Sequence, residues 1–191
     1  MRIRKSNRSA GFTLLEVMVA IVVLMVGILG LAAILADGMA YMSMAQDDYI
    51  AQEKATEAIE SIFTARDMGQ ATWNTICNVG SSVCSGGIFL TGANALCDPG
   101  PDGIVGTADD YIGSACAVRA DAIIVPGSTG AVNINAGGGQ LLALSNFKRT
   151  ITITAVAGIA NLRQIQVTIT YSSGRFQGRT YTMTTNISNF S

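Results

Sequence analysis

Residues 11–36 read GFTLLEVMVAIVVLMVGILGLAAILA, a run that holds one charge, Glu16. From Leu14 onward it is long enough to cross a hydrocarbon layer of about 30 Å at roughly 1.5 Å per helical residue. It contains no proline, and only Gly27 and Gly30 weaken it as a helix. A carboxylate at Glu16 sits where the membrane penalises charge, which marks it as a functional residue by default. Upstream lie Arg2, Arg4, Lys5 and Arg8 with no acid, and Asp37 opens the far side. The positive-inside rule then keeps the N-terminus in the cytoplasm and exports the rest. A secretory signal would have a shorter apolar core followed by a small-residue cleavage site. Here the candidate junction, Gly11–Phe12, precedes the core, so the core stays in the mature chain.

The basic leader, the Gly11–Phe12 junction, Glu16 and the apolar run together resemble the class III signal of type IV pilins. The resemblance implies that a prepilin peptidase cuts after Gly11 and that the new N-terminal residue, Phe12, is N-methylated. It also implies that Glu16 neutralises the Phe12 amine of an adjacent subunit in a filament core. That role suits a carboxylate, since a partner cation offsets much of its desolvation. The string Gly27-Ile28-Leu29-Gly30-Leu31-Ala32 is similar to that of minor pilins of the PilV type. Many major pilins carry a proline in the second half of this segment, and this chain does not, so no helix melting is expected there.

The implied fold class is α+β, type IV pilin-like. A long N-terminal helix, membrane-spanning in its first half and amphipathic in its second, packs on a C-terminal antiparallel β-sheet. The implied partners are other pilins through the helix, the prepilin peptidase and the inner-membrane assembly platform. The implied location is the inner membrane, single-pass with a periplasmic C-terminal domain, and then an extracellular pilus. The function expected is that of a minor pilin, serving assembly or priming and adhesion. A minor pseudopilin of a type II secretion system shares the same signal and is the alternative.

The residues set the boundaries. Residues 1–11 form the leader, 12–36 the transmembrane half of the helix and 37–68 the amphipathic half. Residues 69–147 form a variable insertion, and 148–191 a β-meander. Ala51, Ala55, Ala58, Ile59, Ile62 and Phe63 recur at helical steps, with Glu53, Glu57 and Glu60 off the stripe. Gly69 is the expected stop, giving a helix from Phe12 to about Met68, roughly 85 Å long at 1.5 Å per residue. Three alternating runs, Arg149–Ala155, Arg163–Tyr171 and Arg179–Ile187, put Ile151, Ile153, Ala155, Ile165, Val167, Ile169, Tyr171, Tyr181, Met183 and Ile187 on one face. Threonines and glutamines fill the other. Ala157–Ala160 and Ser172–Gly174 are the expected turns, and Pro126–Gly139 a glycine-rich loop.

Charge is segregated. Residues 37–67 carry seven acids against Lys54 and Arg66, and residues 68–118 carry only Asp98, Asp102, Asp109 and Asp110. Residues 119–191 carry six bases against Asp121. Removing the leader leaves eight bases and thirteen acids, a side-chain charge of −5. No basic stripe suits nucleic acid. The basic C-terminal part reads as a solvated sheet face, or else as a patch meeting the acidic helix of a neighbouring subunit.

Four cysteines, at 77, 84, 97 and 116, lie in the exported insertion. An even count in an oxidising compartment implies two disulfides, and of the three possible pairings the neighbouring one, Cys77–Cys84 with Cys97–Cys116, is expected. Between the second pair runs DPGPDGIVGTADD, residues 98–110. Set on a twelve-residue calcium loop, Asp98 takes position 1, Asp102 position 5, Gly103 the turn, the Ile104 carbonyl position 7 and Asp109 position 12, with Asp110 beside it. Position 3 is Gly100, so a structural calcium would bind weakly. No cofactor for function is expected. The chain has no histidine and no nucleophile motif, so it is not expected to be an enzyme.

Overall fold

The structure, a computed structural model, describes residues 11–126, 139–173 and 176–189. Residues 1–10 of the leader, most of the glycine-rich loop (127–138) and Gly174 of the second expected turn lie outside them. The chain divides into two compact units, Met1–Met42 and Ser43–Ser191.

A single helix, α1, runs from Leu14 to Asp67 and contributes to both units. In the first unit its residues are exposed from Leu14 to Met39, and an 18-residue window has a mean hydropathy of 3.0. Leucines, valines and isoleucines exposed on every side of a helix suit an apolar solvent. The helix starts where the sequence prepares a cap. The Thr13 hydroxyl accepts the Glu16 N–H at 3.3 Å, and the Thr13 carbonyl accepts the Val17 N–H. Thr-x-x-Glu is the capping-box pattern, and Glu16 adds a negative charge at the positive end of the helix. The other end is set by Gly69, whose φ of 72° breaks the helical path.

In the second unit α1 covers a four-stranded sheet in the order β1-β6-β7-β8. The strands are β1 (Asn94–Ala95), β6 (Lys148–Ala155), β7 (Leu162–Ser173) and β8 (Phe176–Ser188), all antiparallel. The described residues of the unit also hold a 3-10 turn, Ala108–Asp110, and two small strand pairs: β2 (Tyr111–Ile112) with β3 (Ala115–Cys116), and β4 (Ala122–Pro126) with β5 (Gly139–Ala143). The expected meander is therefore present as β6–β7–β8, with one more strand at its edge. Its last two strands are longer than the alternation indicated, running through Ser173 and from Phe176 with a register shift between Tyr171 and Ser173.

The helix face against the sheet is small: Ala51, Ala55, Ala58 and Ala65 are buried there with Ile50 and Ile62. Ile59 and Phe63 flank this seam, only partly buried. Alanines let the backbone approach, and Ile151, Ile153, Ile165, Val167, Ile169 and Ile187 fill the space from the sheet. Ala155 shares the inward register of Ile151 and Ile153 but is exposed.

Two arginines also take core-face positions. Arg149 and Arg163 are 2% and 4% exposed. The Arg163 guanidinium donates to the carbonyls of Trp73, Ile76 and Val83 and lies 4.0 Å from the Trp73 ring centroid. Arg179 pairs with Asp48 of the helix at 3.3 Å, and the Tyr171 hydroxyl donates to the same carboxylate. Arg119 pairs with Asp98 at 2.7 Å. The basic part of the chain is thus neither a solvated face nor a free patch, because most of its described charges are used inside the unit.

The outer edge of β6 is closed by a side chain. The Asn78 amide donates to the Ile151 carbonyl at 2.7 Å, and its oxygen accepts the Ile153 N–H at 2.8 Å. Beside it β1 pairs with Lys148 and Arg149.

Candidate functional site

Two places carry candidate chemistry, one in each unit. The first is the start of α1. Gly11, Phe12 and Thr13 precede the helix, are not helical, and are exposed. A peptidase needs an accessible, non-helical backbone, and Gly11 has no heavy atom within 4 Å of where a Cβ would stand. Glu16 is exposed one turn into the helix, its backbone tied to Thr13. Among the described residues no ion pair involves this carboxylate.

The second place is the insertion, fastened by disulfides Cys77–Cys84 and Cys97–Cys116. The second bridge spans the acidic loop. Asp110 is the loop's anchor. It is fully buried, its Oδ1 accepts the Gly100 N–H at 2.7 Å, and its Oδ2 accepts the Gly106 N–H at 2.6 Å. Asp102 Oδ1 accepts the Ile104 N–H at 2.8 Å, and Asp109 Oδ2 accepts the Asp102 N–H at 3.1 Å. The Thr107 hydroxyl sits 2.5 Å from Asp109 Oδ1, 3.1 Å from Asp102 Oδ2 and 3.1 Å from the Ile104 carbonyl. Two glycines make the path possible: Gly106 has φ of 89° and packs against Ile151, and a Cβ on Gly100 would stand 2.5 Å from Asp109 Oδ2.

Carboxylate oxygens of Asp102, Asp109 and Asp110 lie within 4.8 Å of one another. Asp98 is not in this group and is held by Arg119. The electrostatics differ across the cluster. Burial pushes the Asp110 carboxyl above its ordinary range, against the N–H donors of Gly106 and Gly100 and the Arg149 charge. Burial also acts on Asp109, but hydrogen bonds from Thr107 and the Asp102 backbone outweigh it and hold that carboxyl low. The arrangement offers two part-exposed carboxylates, Asp102 and Asp109, beside a third already engaged by backbone.

The cleft between helix and insertion has its own tie, which the sequence did not announce. Lys54 bridges Asp121 and Glu57, each at 2.7 Å. Asp121 in turn links the β4–β5 strand pair and β1 region, its N–H donating to Leu96 and its carbonyl accepting from Leu144.

Residues 6–32 match the family model of the prokaryotic N-terminal methylation motif. The N-terminal segment therefore carries the class III signal, and the helix-on-sheet unit behind it is a type IV pilin-like arrangement. Neither the curated proteins nor the solved structures offer a match to the chain.

Proposed function

We propose that this chain is a minor pilin, a structural subunit rather than a catalyst. It waits in the inner membrane with its N-terminus in the cytoplasm, is cut after Gly11 and methylated on Phe12, and enters a type IV pilus. Glu16 then meets the Phe12 amine of a neighbour. Other pilins, the prepilin peptidase and the inner-membrane assembly platform are its partners. The observation that carries this reading is the methylation motif over residues 6–32, set on a helix whose apolar stretch is exposed. The PilV-like string at residues 27–32 and the disulfide-fastened insertion favour a pilus over a type II secretion pseudopilus, and suit a surface-contacting, adhesive role.

Mass spectrometry of filaments sheared from the native cell tests this. A peptide beginning at methylated Phe12, at low abundance against the major subunit, is expected. A processed chain confined to membranes would point to a pseudopilin, and an intact leader in every fraction would remove the Glu16 mechanism.

A weak calcium site is a second part of the proposal, supported by the convergence of Asp102 and Asp109 beside Asp110. Compared with the sequence expectation, Asp98 is engaged by Arg119 and the Ile104 carbonyl lies within reach of Thr107, which leaves a small ligand set. An affinity in the roughly millimolar class follows. Calcium titration of the full chain in detergent should give heat that Asp102→Ala abolishes.

A further inference from the structure

The second unit has a groove of about 750 Å³ along the outer face of α1. Glu53, Thr56, Glu57 and Glu60 line one wall, and Gly103 and Val105, from the loop that carries Asp102 and Asp109, line the other. Among the described residues no lysine or arginine lines it. Glu57 shares Lys54 with Asp121, Glu53 accepts the Tyr49 hydroxyl, and Glu60 is exposed. The face is concave and acidic, and of its three glutamates Glu57 has Lys54 as a counter-charge while Glu53 and Glu60 are in no described ion pair.

The described residues of this chain offer little of that counter-charge to a second copy. Among the described bases, Lys54, Arg66, Arg119 and Arg179 are in ion pairs, and Arg149 and Arg163 are buried. Lys148 is the remaining one, a single exposed charge. Two copies placed side by side would set acid against acid, which costs association.

We propose that the groove seats a lysine- or arginine-bearing segment of a different filament subunit. This rests on the pilin reading and names the kind of neighbour that reading requires. Charge complementarity selects the partner and its register, and the helix face between Gln52 and Thr64 supplies the contact.

The test uses the full chain in its own cells, with the photoreactive residue benzoylphenylalanine replacing Thr64, which is exposed at the groove. After irradiation, filaments are sheared and cross-linked peptides sequenced. The expected product joins Thr64 to a peptide of another subunit that contains lysine or arginine. Its yield should fall at least fivefold in E53K/E60K, fall less in E53Q/E60Q, and recover when the partner's base is changed to glutamate. Non-reducing gels showing both disulfides establish that the variants fold. Should the lysine variant fail to fold, the glutamine variant and rising salt carry the test, since both should lower the yield. A cross-link to a second copy, a yield indifferent to charge and salt, or no cross-link in filaments that contain methylated Phe12 would each overturn the groove assignment while leaving the pilin reading intact. Absence of the chain from filaments would overturn both.

Discussion

Asn78→Ala should destabilise the second unit by about 3 kcal/mol. Asn78 is 7% exposed and its side chain meets four backbone groups: on β6 the Ile151 carbonyl at 2.7 Å and the Ile153 N–H at 2.8 Å, and beside it the Leu90 and Phe89 carbonyls at 3.3 Å and 3.5 Å. Truncation leaves at least two of them buried without a partner, at about 1–3 kcal/mol each, less whatever a water molecule restores. For a unit of this size each kcal/mol lowers the midpoint by roughly 2–4 °C, so a drop of roughly 6–12 °C is expected. The assay is thermal unfolding of the full chain in detergent, followed in the near-ultraviolet by the aromatic signal of the second unit, with disulfides intact. Asn78→Asp sharpens the test. Its carboxylate still accepts from Ile153 but faces the Ile151 and Leu90 carbonyls, which raises its folded pKa above the unfolded value. Stability is then present below the unfolded value and lost as pH rises through the folded one. The aspartate variant should therefore be weaker than wild type at neutral pH and recover on acidification. A shift below about 2 °C for alanine, with no pH-dependent recovery for aspartate, would refute the edge-closing role.

Three further outcomes follow from the described contacts. Glu16→Val should leave cleavage after Gly11 intact but cut incorporation into filaments by roughly tenfold or more, read by immunoblot of sheared and membrane fractions, because the one charge in the apolar run is gone. Lys54→Met should cost about 3 kcal/mol at neutral pH by leaving Asp121 buried without its cation. Burial pushes the Lys54 ammonium down, yet Asp121 and Glu57 bring it above its ordinary value, so the wild-type contribution should persist to about pH 10.5 and fade above it, a limb the variant lacks in denaturant titrations. Replacing Cys97 and Cys116 with serine should cost about 3 kcal/mol, as expected for a bridge spanning 19 residues, measured as a lower thermal midpoint.

Periodicity explains what was legible. Alternation located β6, β7 and β8 because each has one wet and one dry face, and three- and four-residue steps located the helix seam through Ala51, Ala55, Ala58 and Ile62. Arg149 and Arg163 defeated the same logic: a charged residue opening a strand reads as solvated, while here each lies inward beneath the insertion. Ala155 failed in the opposite sense, keeping the pattern at a place left exposed. Within the acidic loop, spacing brought attention to Asp98 through Asp110, but it could not show that Arg119 claims Asp98 or that backbone N–H groups claim Asp110. Asn78 carried no signal, since a single amide acquires meaning only from strands some 75 residues away.

The seat of Arg163 ties the sheet to a covalently closed ring. Its three carbonyl acceptors, on Trp73, Ile76 and Val83, lie in or beside the ring closed by Cys77 and Cys84, which are seven residues apart. Both cysteines belong to one local segment, so the bridge closes a short loop. Arg163 reaches it from 80 residues beyond Val83 in the chain. Closure of the ring therefore shapes the Arg163 seat, and reduction of Cys77–Cys84 is expected to loosen the hold of β7 on the insertion.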